Sequence, residues 1–176
     1  MNESLFCALK PSNSPILVTY SDIVFEQKIV QQMLEIIDGI RLAVNLNWKK
    51  YYQNRTMHPL SEAENVLVEN GRILQIKKNI SESLQNQQIG EFLGIMMLSS
   101  DHVKILLERY SYLKKNHMDT FHNSSSLSNA YITDMLQEII DSGINVNPVF
   151  TEGRWFEIDT QEDFKNAEKL INKFQS

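Results

Sequence analysis

The sequence predicts an α/β fold: a Rossmann-like, mostly parallel sheet sandwiched by helices, with an antiparallel hairpin inserted into it. Three observations carry this expectation. Apolar runs at 16–20, 40–46 and 146–150 alternate with helical segments, the pattern of strands joined by crossovers. Residues 16–46 read as a strand, helix, strand unit, whose crossover implies parallel pairing. Asn70-Gly71 lies between two apolar runs, and this dipeptide supplies the positive φ angles that a tight hairpin turn requires.

Taken in order, residues 2–9 read as a helix, and Pro11-Ser12-Asn13-Ser14-Pro15 as the turn before the first strand. Strand 16–20 lacks polar alternation, which suits burial on both faces. From Glu26 to Ile37, the spacing of Ile29, Val30, Met33, Leu34 and Ile37 gives one apolar helical stripe, ended by Gly39. Residues 40–46 return as a strand. Residues 65–78 supply the hairpin strands, and 89–98 a longer strand interrupted by Gly90 and Gly94. A helix over 101–115 is opened by Ser99 or Ser100. Residues 116–129, with Asn123-Ser124-Ser125-Ser126, are expected to be a mobile loop. A helix over 130–142 places Ile132, Met135, Leu136, Ile139 and Ile140 together, and Gly143 closes it before strand 146–150. Residues 154–158 form a short strand, and Thr160 caps a terminal helix with Glu162 and Asp163 in its first turn.

The 176 residues, 42% hydrophobic and 22% charged, fit a single domain with a real core. A net charge of −5 supplies no attractive field for a phosphodiester backbone, so no nucleic-acid partner is expected. No stretch approaches the ~18 apolar residues of a membrane span, and MNESLFCALK lacks the order of a signal peptide, which implies a cytoplasmic protein. The single cysteine, Cys7, reads as a small core residue. The four histidines, His58, His102, His117 and His122, share no motif with a carboxylate and read as surface residues.

Ligands of open α/β sheets collect beyond the carboxyl ends of parallel strands. Asp22 follows strand 16–20 there, and Glu157 and Asp159 end strand 154–158. If those strands are neighbours, Asp22 and Asp159 can share one Mg²⁺, joined by Glu157 on the same face. The residues alone leave another reading open: Asp22 starts a turn, and Asp159 helps Thr160 cap the last helix. Glu91 is an acid inside an apolar strand and needs solvent or a partner. Glu62 and Glu64 read as solvated charges, and Trp48, Tyr51 and Tyr52 as aromatics closing the core.

Two segments are recognisable. Tyr20-Ser21-Asp22-Ile23-Val24-Phe25 resembles the YGDIVF segment of bacterial phosphocholine and 2-aminoethylphosphonate cytidylyltransferases, whose Asp binds the catalytic magnesium. The run from Gly153 to Phe164, GRWFEIDTQEDF, resembles the same family's closing motif, G-x-W-x-E-I-D-T-x-E-D. Between them, Trp48 to Tyr52, Arg55, Pro59 to Glu64 and Gly90 to Gly94 occur in the order shown by this family and by the nucleotidyltransferase module of phosphoenolpyruvate-mutase-like proteins. The resemblance implies a nucleotide-diphospho-sugar transferase-like fold, catalytic and metal roles for Asp22 and Asp159, a metal role for Glu157, and acceptor binding by Trp48, Tyr51, Arg55 and Glu91. It implies transfer from CTP to phosphocholine or an aminoalkylphosphonate with Mg²⁺, the acceptor's amino or trimethylammonium group held on an aromatic face.

Three departures accompany it. Ser21 stands where the family commonly has Gly, and Asn45 and Asn47 stand near a position where relatives often carry an acid. The family's opening segment, L-x-A-G-x-G-x-R-x-x-P-x-T, which cradles the nucleotide, has no counterpart here, because the six glycines never cluster. The expectation is an N-terminally shortened nucleotidyltransferase, inactive or weakly active alone, that self-associates or is complemented by an N-terminal fragment. The alternatives are a sugar-1-phosphate nucleotidyltransferase fragment, or a catalytically silent remnant acting as a binding partner.

Overall fold

The computed structural model describes residues 2–53, 55–81 and 83–174. Helix α1 (Asn2–Ala8) leads into β1 (Ile16–Thr19), β2 (Ile23–Phe25), α2 (Gln27–Leu34) and β3 (Ile40–Asn45). Two short 3-10 turns, Trp48–Tyr52 and Leu60–Glu62, precede β4 (Glu64–Glu69), β5 (Arg72–Lys78) and the long β6 (Gln87–Leu98). Then follow α3 (Ser100–Asn116), α4 (Ile132–Asp141), β7 (Val146–Phe150), β8 (Trp155–Glu157) and α5 (Gln161–Phe174).

The six-stranded sheet has the order β5-β4-β6-β3-β7, with β1 also on β6, while β2 and β8 form a separate two-stranded ladder. It is mostly parallel in direction: β1, β3, β4 and β7 run one way, and β5 and β6 run against them. The expected direct pairing of β1 with β3 is corrected here. The two strands do point the same way, but β6 is inserted between them, Leu98 facing Ile16 on one side and Ile40 on the other. A right-handed crossover fixes strand direction but leaves room for an antiparallel neighbour to enter later in the chain. The hairpin β4–β5 turns through Asn70 (φ 51°) and Gly71 (φ 74°), as its dipeptide predicts.

Alternation along β6 divides the core. Phe92, Met96 and Leu98 join Leu42, Val66, Leu106 and Met135 beneath α3 and α4, while Leu93, Ile95 and Met97 join Ile29, Met33 and Trp155 beneath α2. Helix α2 ends at Leu34, short of the expected Ile37, so Leu34 and Ile37 are about half exposed and only Ile29 and Met33 are buried. Cys7 is exposed and so is no core residue, because α1 turns Phe6 inward, where it stacks on Tyr110 with ring centroids 3.8 Å apart. Residues 116–129 carry buried Phe121 and Leu127, and a bridge pairs Phe121 with Ser124.

The feature that positions the site lies midway along β6. On one edge of β6, β1 pairs with residues 95–98 and β4 with residues 87–91, so the end of β1 meets the start of β4 end to end. Gly94 sits at that junction with φ +70°, and a Cβ there would lie 2.5 Å from the Tyr20 ring. Replacing Gly94 with Ala should therefore destabilise the fold by about 2–3 kcal/mol, since it combines left-handed strain with overlap. A drop of several degrees in a thermal melt is the expected readout, and an unchanged melt would show that the junction relaxes freely.

Candidate active site

Beyond Tyr20 the chain turns through Ser21 and Asp22 into β2, and β2 pairs with β8 so that Ile23 faces Glu157. The Asp22 carbonyl accepts from the Ile158 amide at 2.8 Å, which places Asp22 beside the segment bearing Glu157 and Asp159. The strands expected to be neighbours, 16–20 and 154–158, do not pair: β1 lies on β6 in the main sheet, and it is β2, directly after Asp22, that pairs with β8 and brings the two segments together. Among the described residues, the exposed Asp22 carboxylate takes part in no hydrogen bond or ion pair. Burial, followed by the Asp159 charge, pushes Glu157 up to about 8, and Asp22 adds to the effect. Asp22, Glu157 and Asp159 lie on adjacent segments at one end of two paired strands, Asp22 exposed and without a partner among the described residues and Asp159 facing His58 and Arg55, and oxygen donors of this kind suit a small hard cation such as Mg²⁺.

The carboxylates are not gathered tightly in this conformation. Among the described residues, the ligand atoms lying within 4.8 Å of one another in a three-membered group belong to His58, Asp159 and Asp163. His58 Nδ1 faces Asp159 Oδ2 at 2.8 Å and His58 Nε2 lies 3.9 Å from Glu157. Burial, then the Arg55 guanidinium, holds the imidazole below its ordinary value, so the neutral ring donates from Nδ1 to Asp159. The expectation that His58 is an uninvolved surface residue is thus corrected. Asp163 is no open ligand either: it is fully buried and accepts from Arg55 Nε at 2.8 Å and from the Thr160 amide and hydroxyl at 3.0 and 2.9 Å. The Asp163 amide in turn donates to Thr160 Oγ1 at 3.1 Å, the reciprocal cap expected at the start of α5. Asp163, and not Asp159, is the acid that completes this cap.

The same helix start holds the loop after Tyr52. Glu162 accepts from the amides of Thr56 and Met57 at 2.8 and 3.0 Å and from the Thr56 hydroxyl at 3.1 Å, while Asp163 holds Arg55. These contacts carry His58 to Asp159. The Arg55 guanidinium lies 5.1 Å from both the Tyr52 and Phe156 rings, and its Nη2 is 3.9 Å from Asp159. Its Nη1 and Nη2 atoms are buried without a hydrogen-bond partner.

Glu91 is 2% exposed; the Tyr52 hydroxyl donates to Oε1, and Oε2 is unpartnered. Burial pushes this carboxyl up to about 8. Trp48 is buried with its ring edge-on to Tyr52 at 5.8 Å, and Tyr51 is half-buried and edge-on to Trp155 at 6.4 Å. Arg55 and Glu91 therefore flank Tyr52 next to the carboxylate station, with Trp48 behind them and Tyr51 to the side. Glu64, read as a solvated charge, instead accepts from the Tyr20 hydroxyl at 2.9 Å and from the Thr133 hydroxyl at 3.3 Å, tying the end of β1 to α4. Glu62 is exposed and paired with Lys78 at 2.7 Å.

Glu91 gives the fold a pH dependence with a definite sign. Its folded value, about 8, lies above its ordinary 4.5, so the protonated form contributes stability that is fully present below about 4.5 and lost as pH rises through about 8. Thermal stability should fall across that window, and Glu91→Gln should flatten the decline. An identical pH profile in the variant would show that Glu91 titrates elsewhere.

The fold is that of the nucleotide-diphospho-sugar transferase type found in solved nucleotidyltransferases. The structure resembles an inositol-1-phosphate CTP transferase from T. maritima, with TM-score 0.66 and 18% identity over 99% of this chain and 62% of that one. It also resembles a CTP:phosphocholine cytidylyltransferase from Streptococcus pneumoniae, with TM-score 0.62 and 15% identity over 96% of this chain and 62% of that one. A putative glucose-1-phosphate thymidylyltransferase from Bacillus anthracis matches with TM-score 0.62 and 17% identity over 97% and 60% of the two chains. In sequence the chain is similar to a CTP:phosphoglutamine cytidylyltransferase from Campylobacter jejuni, 27% identical over an alignment of 173 positions that covers 94% of this chain and 66% of the relative. The chain thus spans a little under two-thirds of the length of the proteins it matches. No protein-family model matches it. Among the described residues, no helix is long and apolar enough to cross a membrane.

Proposed function

We propose that this chain carries the metal and acceptor stations of a CTP-dependent cytidylyltransferase whose acceptor is a small phosphate or phosphonate bearing a cationic nitrogen. The observation that supports the reading is that the β2–β8 ladder sets the segment bearing Asp22 beside the one bearing Glu157 and Asp159, with buried Arg55 and Glu91 nearby. The naming of the Campylobacter and Streptococcus relatives as cytidylyltransferases favours CTP over the nucleotides used by sugar-phosphate enzymes of the same fold.

Asp22, Glu157 and Asp159 would hold Mg²⁺, which when bound would neutralise triphosphate charge and orient it for in-line attack. His58 keeps the Asp159 carboxylate oriented, as hydrogen-bonded neighbours of ligating groups do. Arg55 Nη1 and Nη2, neither with a hydrogen-bond partner and Nη2 3.9 Å from Asp159, would bond the phosphate or phosphonate of the acceptor, with ring contacts and Asp163 holding the fork. No side-chain nucleophile is required, since the acceptor's own oxygen attacks the α-phosphorus and pyrophosphate leaves.

The cradle for the nucleotide is assigned to a glycine-rich segment of the family type, docking on the edge of β1 away from β6, which has no strand partner among the described residues. The test measures pyrophosphate release from CTP with Mg²⁺ and 2-aminoethylphosphonate. Little release is expected from the chain alone, because positioning of the phosphates supplies most of the rate. Turnover should appear when the leading segment of the Campylobacter relative is fused before Asn2. Robust turnover by the chain alone would overturn the need for the segment, and a silent, folded fusion would overturn the transferase reading.

A further inference from the structure

Glu64 ties together parts of the molecule that no strand ladder joins. On the edge of β6 that β1 and β4 share, β1 pairs with residues 95–98 and β4 with residues 87–91, which leaves 92–94 between the two ladders. The Tyr20 amide donates to the Gly94 carbonyl at 2.8 Å, and the Tyr20 hydroxyl then crosses the gap to Glu64 Oε2 at 2.9 Å. The other oxygen, Oε1, accepts from the Thr133 hydroxyl of α4 at 3.3 Å. One carboxyl group thus joins the end of β1, the start of β4 and the first turn of α4.

The ring that carries the Tyr20 hydroxyl has room to move. It forms part of the wall of a cavity of about 310 Å³, lined also by Val18, Asp22, Phe92, Met96 and Ile132. Gly94, against the ring, offers no side chain to stop it, and Phe92 meets it only edge-on, with centroids 5.8 Å apart. The hydrogen bond to Glu64 is therefore the directional contact that fixes where the ring stands.

Asp22 shares that cavity. Its exposed carboxylate has no partner among the described residues, so no side-chain bond resists a neighbour that crowds it. Downstream the backbone is pinned by the Ile158 amide on the Asp22 carbonyl and by Ile23 facing Glu157. Upstream, only Ser21 separates Asp22 from Tyr20. A ring released into the cavity would take the space in front of Asp22.

We propose that Glu64 is a positioning residue of the metal station: by accepting the Tyr20 hydroxyl it holds the ring at the cavity wall and keeps clear the space in which Asp22 presents its carboxylate. The proposal rests on the reading of Asp22 as a metal ligand, and a set of variants separates the two. Mn²⁺ binding to the full chain is read by electron paramagnetic resonance, well below the melting transition. Tyr20→Phe removes one oxygen and should weaken Mn²⁺ binding about 10-fold, the low end of the loss typical of groups that support a metal ligand without touching the ion. Glu64→Leu, which removes the acceptor, should match it. Glu64→Gln, which keeps an oxygen for the hydroxyl, should stay within about threefold of the parent.

A tie that merely stabilised the fold would not depend on Asp22. In the Asp22→Asn background, adding Tyr20→Phe should change Mn²⁺ affinity by less than about twofold, since a residue acting through Asp22 has nothing left to act on. Unchanged affinity in Tyr20→Phe and Glu64→Leu would overturn the positioning role and leave the metal station standing. So would a loss in Glu64→Gln equal to that in Glu64→Leu, or a Tyr20→Phe loss that persists undiminished without Asp22. Equal Mn²⁺ affinity in Asp22→Asn and the parent, or no binding by the parent at millimolar concentration, would overturn both.

Discussion

Replacing Asp163 with Ala should lower the melting temperature by roughly 6–20 °C, the largest effect expected of any single side-chain truncation in this fold. The reason is electrostatic as well as structural. Asp163 is fully buried and is the hydrogen-bonded counter-ion of Arg55, whose side chain is 1% exposed. Removing it leaves a guanidinium with no counter-charge in hydrogen-bond reach, at about 3–5 kcal/mol for a broken buried pair. The N-terminal cap of α5 is lost at the same time. Adding Arg55→Met to the Asp163→Ala background should recover much of the loss, because the stranded charge is then gone. A single variant melting within 2 °C of the parent, measured by circular dichroism at neutral pH, would contradict the pair's role in holding residues 55–58.

Replacing Asp22 with Asn should weaken divalent-cation binding about 100-fold or more without changing the melting temperature in metal-free buffer. The magnitude exceeds the 10- to 100-fold typical of groups that only support a ligand. The unchanged stability follows from the surroundings of Asp22, an exposed carboxylate with no partner among the described residues. Titration with Mn²⁺, followed by electron paramagnetic resonance, reads the affinity directly. Asp159→Asn should cost a similar factor but also loosen His58, which donates to that carboxylate. Unaltered Mn²⁺ affinity in Asp22→Asn would remove Asp22 from the metal station.

Much of this architecture is legible in the residues. Strands with uninterrupted apolar runs, the Asn70-Gly71 turn and the capping pair Thr160 and Asp163 announce themselves because local chemistry dictates each of them. The insertion of β6 between β1 and β3 does not, since pairing partners more than 50 residues apart leave no periodic trace in either strand. His58 was hidden for the same reason. Its partner Asp159 reaches it because Glu162, over 100 residues away in sequence, takes the amides of Thr56 and Met57. The terminal Glu-Asp of the closing motif was the available signal, since two acids at a helix start hold more acceptors than one cap consumes. The shortened α2 illustrates a further limit: Ile37 continues the helical period, yet the helix ends at Leu34 ahead of Gly39.

The long central strand also sets the order in which the chain can assemble as it is made. Ile16 in β1 and Ile40 in β3 wait for the same residue, Leu98. Neither strand has its β6 partner until roughly 50 further residues have been synthesised, which takes about 3–10 s at ordinary rates of translation. During that interval α2 can form locally, but the apolar runs that flank it stay without the strand that joins them. They are then the segments a chaperone would meet first, and arrival of β6 buries both in a single event.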